Sequence, residues 1–474
     1  MRMALEEVAA ILGTTCGNRG RTALGYSIDS RTIRRDELFF AIRGPRFDGH
    51  EFVAQALGRD AVGAVVDRNF FASGPKTITS SLLPVENPTE ALQTLAQAVR
   101  RKWGRRLVAI TGSAGKTTTK EMVAAMLSQS FPVLKSPGNL NNYYGLPLAL
   151  LQLEPAHEAA VMELAMSAAG EIARLARIAE PQVGVVTNVA PVHLQFFDSV
   201  DSIAHAKREL VDNLPANGTA VLNFDDPRVR RFAEGFHGRV VTFGFDSGAM
   251  FRAVDFRQAG EKASLFNVEG RGIEGEFCVP LPGRHNVQNA LAALATASLF
   301  EIPTSALREA LLKFQTLHQR SEVLTLPGGI TLLNDSYNSN PLAMDKMLET
   351  LATWPGAVRR IVVAGEMLEL GPSSTQLHKQ VGRTCVDCGV DWLLAVQGDA
   401  RFLLEGALEA GLPADYGRFF STAEEAGSFC AQLLGGGDVV LVKGSRGVHL
   451  EKVIGLLQSR HDILPAHKSG GLES

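Results

Sequence analysis

The chain has 474 residues, 45% hydrophobic and 20% charged, which is apolar material for two to four cores rather than one. Its 47 basic and 50 acidic residues leave a net charge of −3, so there is no basic field for nucleic acid. Five scattered cysteines argue for reduced thiols in the cytoplasm, and no run approaches the ~20 apolar residues that cross a bilayer.

Residues 1–13, MRMALEEVAAILG, carry Glu6 and Glu7 inside an apolar run and are expected to form an amphipathic helix rather than a signal peptide. A strand-and-turn region completes a first unit, residues 1–103. It contains Asp29-Ser30-Arg31, the apolar run 37–42 (ELFFAI) and the stretch 43–52 (RGPRFDGHEF), which is too polar and glycine-rich for core. With Arg31 and Arg46 as anion partners that stretch could close on a ligand; composition alone favours a surface turn held by salt bridges.

A second unit, residues 104–316, alternates strand and helix as in a doubly wound α/β domain. It opens on residues 107–122, LVAITGSAGKTTTKEM. The apolar run 107–110 predicts a buried parallel strand, residues 111–115 a tight loop, and Lys116 onward a helix with Met122, Val123, Met126 and Leu127 on one face. Strand, glycine loop, Lys-Thr and helix N-terminus form a phosphate cradle: backbone N–H groups turn onto an anion, Lys116 reaches the β/γ-phosphates, and the Thr117 hydroxyl can hold Mg²⁺. The spacing departs from the full Walker A form, because Ile110 stands five before Gly115.

Two further strand ends bear on this cradle, since such folds bind ligands beyond the carboxyl ends of their strands. Glu163 stands near the end of the run 160–164, and His193 lies in the loop after the run 183–187. Each is a plausible Mg²⁺ ligand. Each could equally be structural, a paired buried acid and a hydrogen-bonded loop histidine. The cluster Asn139, Asn141, Asn142 can be turn chemistry or amide contacts to substrate. Residues 283–289, GRHNVQN, open an alanine-rich helix (290–300), either as a cap or as readers of a base edge.

From 317 to 460 a third unit repeats the alternation, with strands predicted at 331–334, 361–364, 393–396 and 439–442. Two strand ends are chemically loaded, residues 335–341 (DSYNSNP) and the small-residue anion loop 443–447 (KGSRG). Cys385 and Cys388 lie in a helical pattern without a second pair, which argues against zinc or redox work. The polar tail 461–474 is expected to be disordered.

In that order, ITGSAGKTTTKEM, NLNNYYGLPL, GRHNVQN, LNDSYNSNP and VLVKGSRG resemble the Mur ligases of peptidoglycan synthesis, over nearly the whole chain from Gly25 to Lys452. The phosphate loop alone would suit any such ligase or a folylpolyglutamate synthase. The 335–341 and 443–446 motifs narrow the resemblance to the branch that joins D-alanyl-D-alanine to UDP-N-acetylmuramoyl-tripeptide. The resemblance implies three α/β domains: a small N-terminal substrate domain, a central P-loop-type ATPase with a mostly parallel sheet, and a Rossmann-like C-terminal domain. It implies ATP and two Mg²⁺ ions; charge and hydropathy add the expectation of no nucleic-acid partner and no membrane insertion, and a monomer is expected.

By the same resemblance, Gly112, Ser113, Ala114, Gly115, Lys116, Thr117 and Thr118 hold the phosphates. Thr117 and Glu163 hold one Mg²⁺, and His193 with a carbamylated Lys207 serves the second. Asn286 and Asn289 lie near adenine; Arg320 and Asp335 contact the nucleotide from the third domain. Asp29, Ser30, Arg31, Arg46, Asp48, Gly49 and His50 match the region that takes the UDP end. Asn139, Asn141, Asn142, Asn338, Ser339, Lys443, Ser445 and Arg446 face substrate.

Three departures from the family pattern stand out: Ser113-Ala114 in the loop, residues 163–172 (ELAMSAAGEI) after the glutamate, and Glu366 where aspartate is common. The competing readings are a sister ligase or folylpolyglutamate synthase, a nucleotide-binding paralogue that no longer ligates, and a dinucleotide oxidoreductase. The 335–341 motif opposes the first. Retention of Glu163, His193 and Lys207 opposes the second. The lack of G-x-G-x-x-G after a strand opposes the third.

Overall fold

The computed structural model describes residues 1–315 and 317–461, and side chains up to Ser459. The tail expected to be disordered lies outside the described residues, except His461, which ends the last helix. Three main sheets are arranged along the chain. The first has four parallel strands in the order Gly25–Ser27, Glu37–Phe40, Gly63–Asp67, Leu82–Val85. Beside it, Met3–Ala4 and Thr22–Ala23 pair as a short antiparallel ribbon that leads into the helix Leu5–Leu12.

The central sheet has nine strands. Val133–Lys135, Ala159–Glu163, Arg106–Thr111, Val183–Val186, Thr219–Asn223, Arg239–Gly244 and Phe251–Ala259 lie side by side and parallel. Ala263–Gly270 and Gly275–Val279 then continue it antiparallel. The third sheet runs Glu322–Leu326, Ile330–Asn334, Val439–Lys443, Arg360–Gly365, Trp392–Val396, Gly417–Phe420, antiparallel only between the first two.

The strand Arg106–Thr111 shows why the central sheet reads so clearly in sequence. Leu107 and Ala109 point into one apolar cluster, Val108 and Ile110 into another, and all four are fully buried. A strand covered on both faces must be apolar at every position. The cluster around Leu107 continues without a break into the first unit, through Leu92, Leu95 and Val99 of the helix Pro88–Trp103 to Leu38 and Leu5. That helix is well specified: Asn87 caps it by accepting from Thr89 and Glu90, Pro88 takes the first turn, and Gly104 ends it at φ 68°. Its buried Arg100 donates to the carbonyls of Ala179 (2.7 Å) and Glu180 (2.9 Å) and to Gln182 Oε1 (3.0 Å), tying the first unit to the central one.

Two expectations require correction. The central unit is not alternating throughout, because residues 251–279 form the antiparallel extension, whose strands expose one face. The third unit has two strands that the apolar runs do not reveal, Glu322–Leu326 and Gly417–Phe420, both at sheet edges. Among the described residues, no helix is long and apolar enough to cross a membrane.

The helix Pro341–Ala352 carries Asp345, whose Oδ1 is buried without a partner among the described residues, and burial raises its pKa to about 6. The folded pKa exceeds the unfolded one, so the unfolded chain gives up this proton first and stability falls as pH rises toward 6. Asp345→Asn is expected to raise the thermal midpoint near neutral pH and to leave it unchanged below about pH 4, which a pair of melts would show.

Candidate active site

Where the strand Arg106–Thr111 ends, the chain turns through residues 112–115 into the helix Lys116–Leu127. Gly112 (φ 147°) and Gly115 (φ 81°) hold conformations that L side chains rarely adopt. Space forbids side chains there too: a Cβ on Gly112 would strike the Thr187 hydroxyl, and one on Gly115 the Asn289 amide. Ser113 and Ala114 donate their N–H groups to Asn188, at its carbonyl (3.0 Å) and Oδ1 (2.8 Å). The amides of Lys116, Thr117 and Thr118 open the helix and have no intrahelical acceptor, so they are the donors that an anion would meet. Lys116 folds over the loop, with Nζ on Gly112 O at 2.7 Å; burial lowers its pKa, Glu163 opposes that, and Arg320 adds to it.

Facing the loop, Glu163 is buried and fully engaged. Its Oε2 accepts from Thr117 Oγ1 and its Oε1 from Asn141 Nδ2, both at 2.8 Å. Behind it, Ser136 Oγ accepts from the Glu163 N–H (3.2 Å), while Ser136 O accepts from the buried Lys120 (2.8 Å). Thr117 and Glu163 thus offer paired hard oxygen donors, the chemistry of a Mg²⁺ site. Among the described residues, no three His, Cys, Asp or Glu side chains converge to make a closed metal cage. Mg²⁺ is the ion suited to such a sparse donor set, because it keeps waters and takes phosphate oxygens.

His193, at φ 58°, places Nδ1 2.5 Å from Glu369 Oε2 in the third unit. Lys207, in the helix Val200–Asp212, is buried, and burial together with the nearby Lys116 cation pushes its pKa well below the usual lysine range. From the third unit, Asp335 accepts from Ser321 N–H (2.9 Å) and pairs with the buried Lys443, which also donates to Asn338 O (2.9 Å). Desolvation would raise the Asp335 pKa, but Lys443 and the Ser321 amide hold it down. Tyr337 is flanked by two guanidinium groups, Arg320 at 4.1 Å and Arg446 at 5.0 Å from the ring centre.

Lys116, Thr117, Glu163, His193, Asp335, Tyr337 and Lys443 line one cleft of about 1270 Å³ between the central and third units, whereas Gly112 and Lys207, also expected in the site, are not on its wall. Of the residues expected in the site, Ser113 to Thr118, Asn139, Asn141, Asn142, Glu163, His193, Asn286, Asn289, Arg320, Asp335, Asn338, Ser339, Lys443, Ser445 and Arg446 all reach its wall.

The sequence matches three family models: the Mur ligase family catalytic domain over residues 24–100, the Mur ligase middle domain over 110–297, and the Mur ligase glutamate ligase domain over 319–446. The UDP-N-acetylmuramoyl-tripeptide–D-alanyl-D-alanine ligase of Escherichia coli (strain K12) is 33% identical over 461 residues, covering 96% of this chain and 98% of that protein. Its counterpart in Bacillus subtilis (strain 168) is 32% identical over 430 residues, 91% of this chain and 92% of that one. The chain belongs to the Mur ligase family.

Solved Mur ligases place it more narrowly, in the MurF-type branch. MurF from Acinetobacter baumannii superposes with a TM-score of 0.87 at 28% identity, covering 97% of this chain and 99% of that one. MurF from Thermotoga maritima, in complex with ADP, gives 0.81 at 28% identity over 93% and 98%. This Mur ligase keeps its expected UDP-end residues outside the cleft, as a separate cluster in the first unit. Arg31 clamps Asp29 through two bonds (2.9 and 2.8 Å), and Ser30 donates to Gln55. Arg43 bridges Asp48 and Asp67, and buried His50 lies 2.6 Å from Asp48. Gly49 is pressed against the Ile42 backbone, and Arg46 is exposed.

The three departures have local explanations in this Mur ligase. Ser113 exchanges hydrogen bonds with Ala190, so it fixes the loop to the next strand end. Residues 165–167 and Glu171 still line the cleft, with Glu171 accepting from Ser167 N–H (2.6 Å). Glu366 accepts from Asp399 N–H (3.1 Å) and serves the neighbouring strand end. Sequence reasoning passed over Asn188, Tyr337 and Glu369. Their signals were position alone: one residue past a strand run, one inside DSYNSNP, one three residues beyond Glu366.

Gly115→Ala is expected to abolish ADP binding in calorimetry while leaving the circular dichroism spectrum intact, since the new methyl meets Asn289 at a backbone angle that alanine avoids.

Proposed function

We propose that this chain is the ATP-dependent ligase that joins D-alanyl-D-alanine to UDP-N-acetylmuramoyl-tripeptide, giving the pentapeptide precursor of peptidoglycan. The observation that carries the reading is the opposition, across one cleft, of the Lys116 phosphate cradle with Thr117 and Glu163 to the cations Lys443, Arg320 and Arg446 of the third unit.

The chemistry needs that opposition. The tripeptide carboxylate attacks the γ-phosphate, giving an acyl phosphate and ADP, and the amine of the dipeptide then displaces phosphate. Carboxylate and triphosphate are both anions, so their approach requires positive charge on both sides. Lys116 and the first-turn amides neutralise the phosphates, while Arg320 approaches from the third unit. When bound, Mg²⁺ withdraws charge from the phosphate oxygens, and Thr117 with Glu163 would hold it. Asn286 and Asn289, at the helix start beside the loop, suit the adenine. We assign residues 1–103 to the UDP end, 104–316 to ATP and 317–460 to the incoming dipeptide, with Asn338, Ser339, Lys443, Ser445 and Arg446 closing over the reaction centre. Closure excludes water from a hydrolysable acyl phosphate.

Lys207 fits carbamylation. Its burial and its cationic neighbour favour the neutral amine, the form that adds CO₂ with loss of a proton. The product is a carboxylate-like acceptor that, with His193, could serve a second Mg²⁺. Lys207→Ala is expected to lower turnover by about 100-fold, with partial rescue by acetate; an unimpaired mutant removes this role.

The decisive assay is phosphate release from ATP and Mg²⁺ with each substrate alone and then both. Sustained release that needs both, with pentapeptide precursor formed, is expected. Release with neither, or none at all, would replace this reading by a different acid and amine pair or by a non-ligating nucleotide binder.

A further inference from the structure

Glu369 stands apart from the residues used above. It lies in the segment between the strand Arg360–Gly365 and the helix Ser374–Asp387, yet its carboxylate leaves the third unit to meet His193 of the central one at 2.5 Å. Both residues hold left-handed backbone, φ 65° for Glu369 and φ 58° for His193, and neither is glycine or asparagine. Histidine visits that region readily, whereas glutamate adopts it at a cost that its surroundings must offset. The contact is reinforced on the main chain. Gln195 donates its N–H to Glu369 O (3.1 Å), and Gly371 is pressed so close to Leu194 that a Cβ would overlap it.

Within the third unit the same segment is pinned to the 443–446 loop. Ser445 donates its N–H to Glu366 O (3.1 Å), and Leu368 donates its N–H to Ser445 Oγ (2.9 Å). The position of Glu369 is therefore set by the loop that closes over the reaction centre. An exposed contact between a carboxylate and an imidazole contributes little stability by itself, and Glu369 is 45% exposed. Its consequence is chemical. A carboxylate at Nδ1 holds the proton there and leaves the Nε2 lone pair free to ligate.

We infer that Glu369 is a positioning residue: by docking on Nδ1 when the third unit meets the central one, it sets the tautomer and aim of the His193 imidazole, so that the cleft becomes competent for its cation only on closure. The inference rests on the proposed function for the role of His193, but the tautomer it requires does not depend on ligase activity. In solution, neutral imidazole favours the opposite tautomer, with the proton on Nε2.

The test is long-range ¹H–¹⁵N NMR of ¹⁵N-histidine-labelled full-length protein, with the His193 signals identified among the 11 histidines by their loss in His193→Gln. Wild type is expected to show His193 protonated on Nδ1, and Glu369→Ala to shift it toward Nε2–H. In parallel, the Mg²⁺ concentration that half-saturates phosphate release should rise about tenfold in Glu369→Ala. Glu369→Gln, whose amide oxygen still accepts from Nδ1–H, should recover most of both effects. A merely structural tie would lower the melting temperature and move neither. An Nε2–H tautomer in wild type, or either readout unchanged in Glu369→Ala, overturns the inference. Absence of turnover in wild type would instead count against the ligase reading and leave the tautomer result standing.

Discussion

Two anions must be brought into contact, and that requirement organises this molecule. A triphosphate and a carboxylate repel at bonding distance, so a site that joins them needs fixed positive charge approaching from more than one direction. A single helix N-terminus supplies about half a charge and the loop lysine one more, all from one side. The rest comes from the third unit, where Lys443, Arg320 and Arg446 are presented across the cleft. The burial of Lys443 is affordable only because Asp335 and the Asn338 carbonyl accept from it. An ion pair of this kind places a cation on the cleft wall without leaving it uncompensated.

The cradle itself is held by its neighbours rather than by its own sequence. Asn188 receives two loop amides, Thr187 donates to Ala114 O at 2.6 Å, and Asn289 closes against Gly115. All three come from much later in the chain: Thr187 and Asn188 arrive because the parallel sheet sets Arg106–Thr111 beside Val183–Val186, and Asn289 because the helix Arg284–Ala297 packs on the helix Lys116–Leu127. The absence of an early glycine is therefore tolerable. The turn is defined from outside by packing, so two glycines and a lysine suffice. Glu163 is treated similarly, with Thr117, Asn141 and Ser136 each using one of its hydrogen-bonding positions.

What the sequence made readable follows from burial. Strands covered on both faces are apolar at every position, and these appeared in the predicted places: 107–110, 160–164, 183–187 and the four in the third unit, each within a residue or two of the observed element. Strands with one solvated face or at an edge did not. Residues 251–279 alternate buried with half-exposed side chains, and Glu322–Leu326 and Gly417–Phe420 are mostly half-buried or exposed. The cleft residues were found through motif resemblance, because nothing in the spacing of Glu163, His193 and Lys443 along the chain announces that they line one cleft. Lys207, off the cleft wall, was found the same way. Its residue type suggests an exposed lysine, yet it lies on the helix face of Ile203, Leu210 and Val211 and is buried with them.

The pair Glu366 and Glu369 shows where reading by motif stops. Both are acids in one short segment after a strand, and the sequence singled out Glu366, where the family often has aspartate. Backbone geometry decides otherwise. Glu366 continues from the strand and its carboxylate meets the Asp399 amide, beside Gly398, so it organises the third unit internally. Three residues on, a left-handed φ reverses the chain and sends Glu369 across the cleft to His193. Residue type and spacing cannot distinguish these two acids, since the difference is one dihedral angle. That angle is itself supported by contacts on both sides, Ser445 in the third unit and Leu194–Gln195 in the central one. An acid so placed ties the two halves of the cleft together through the imidazole.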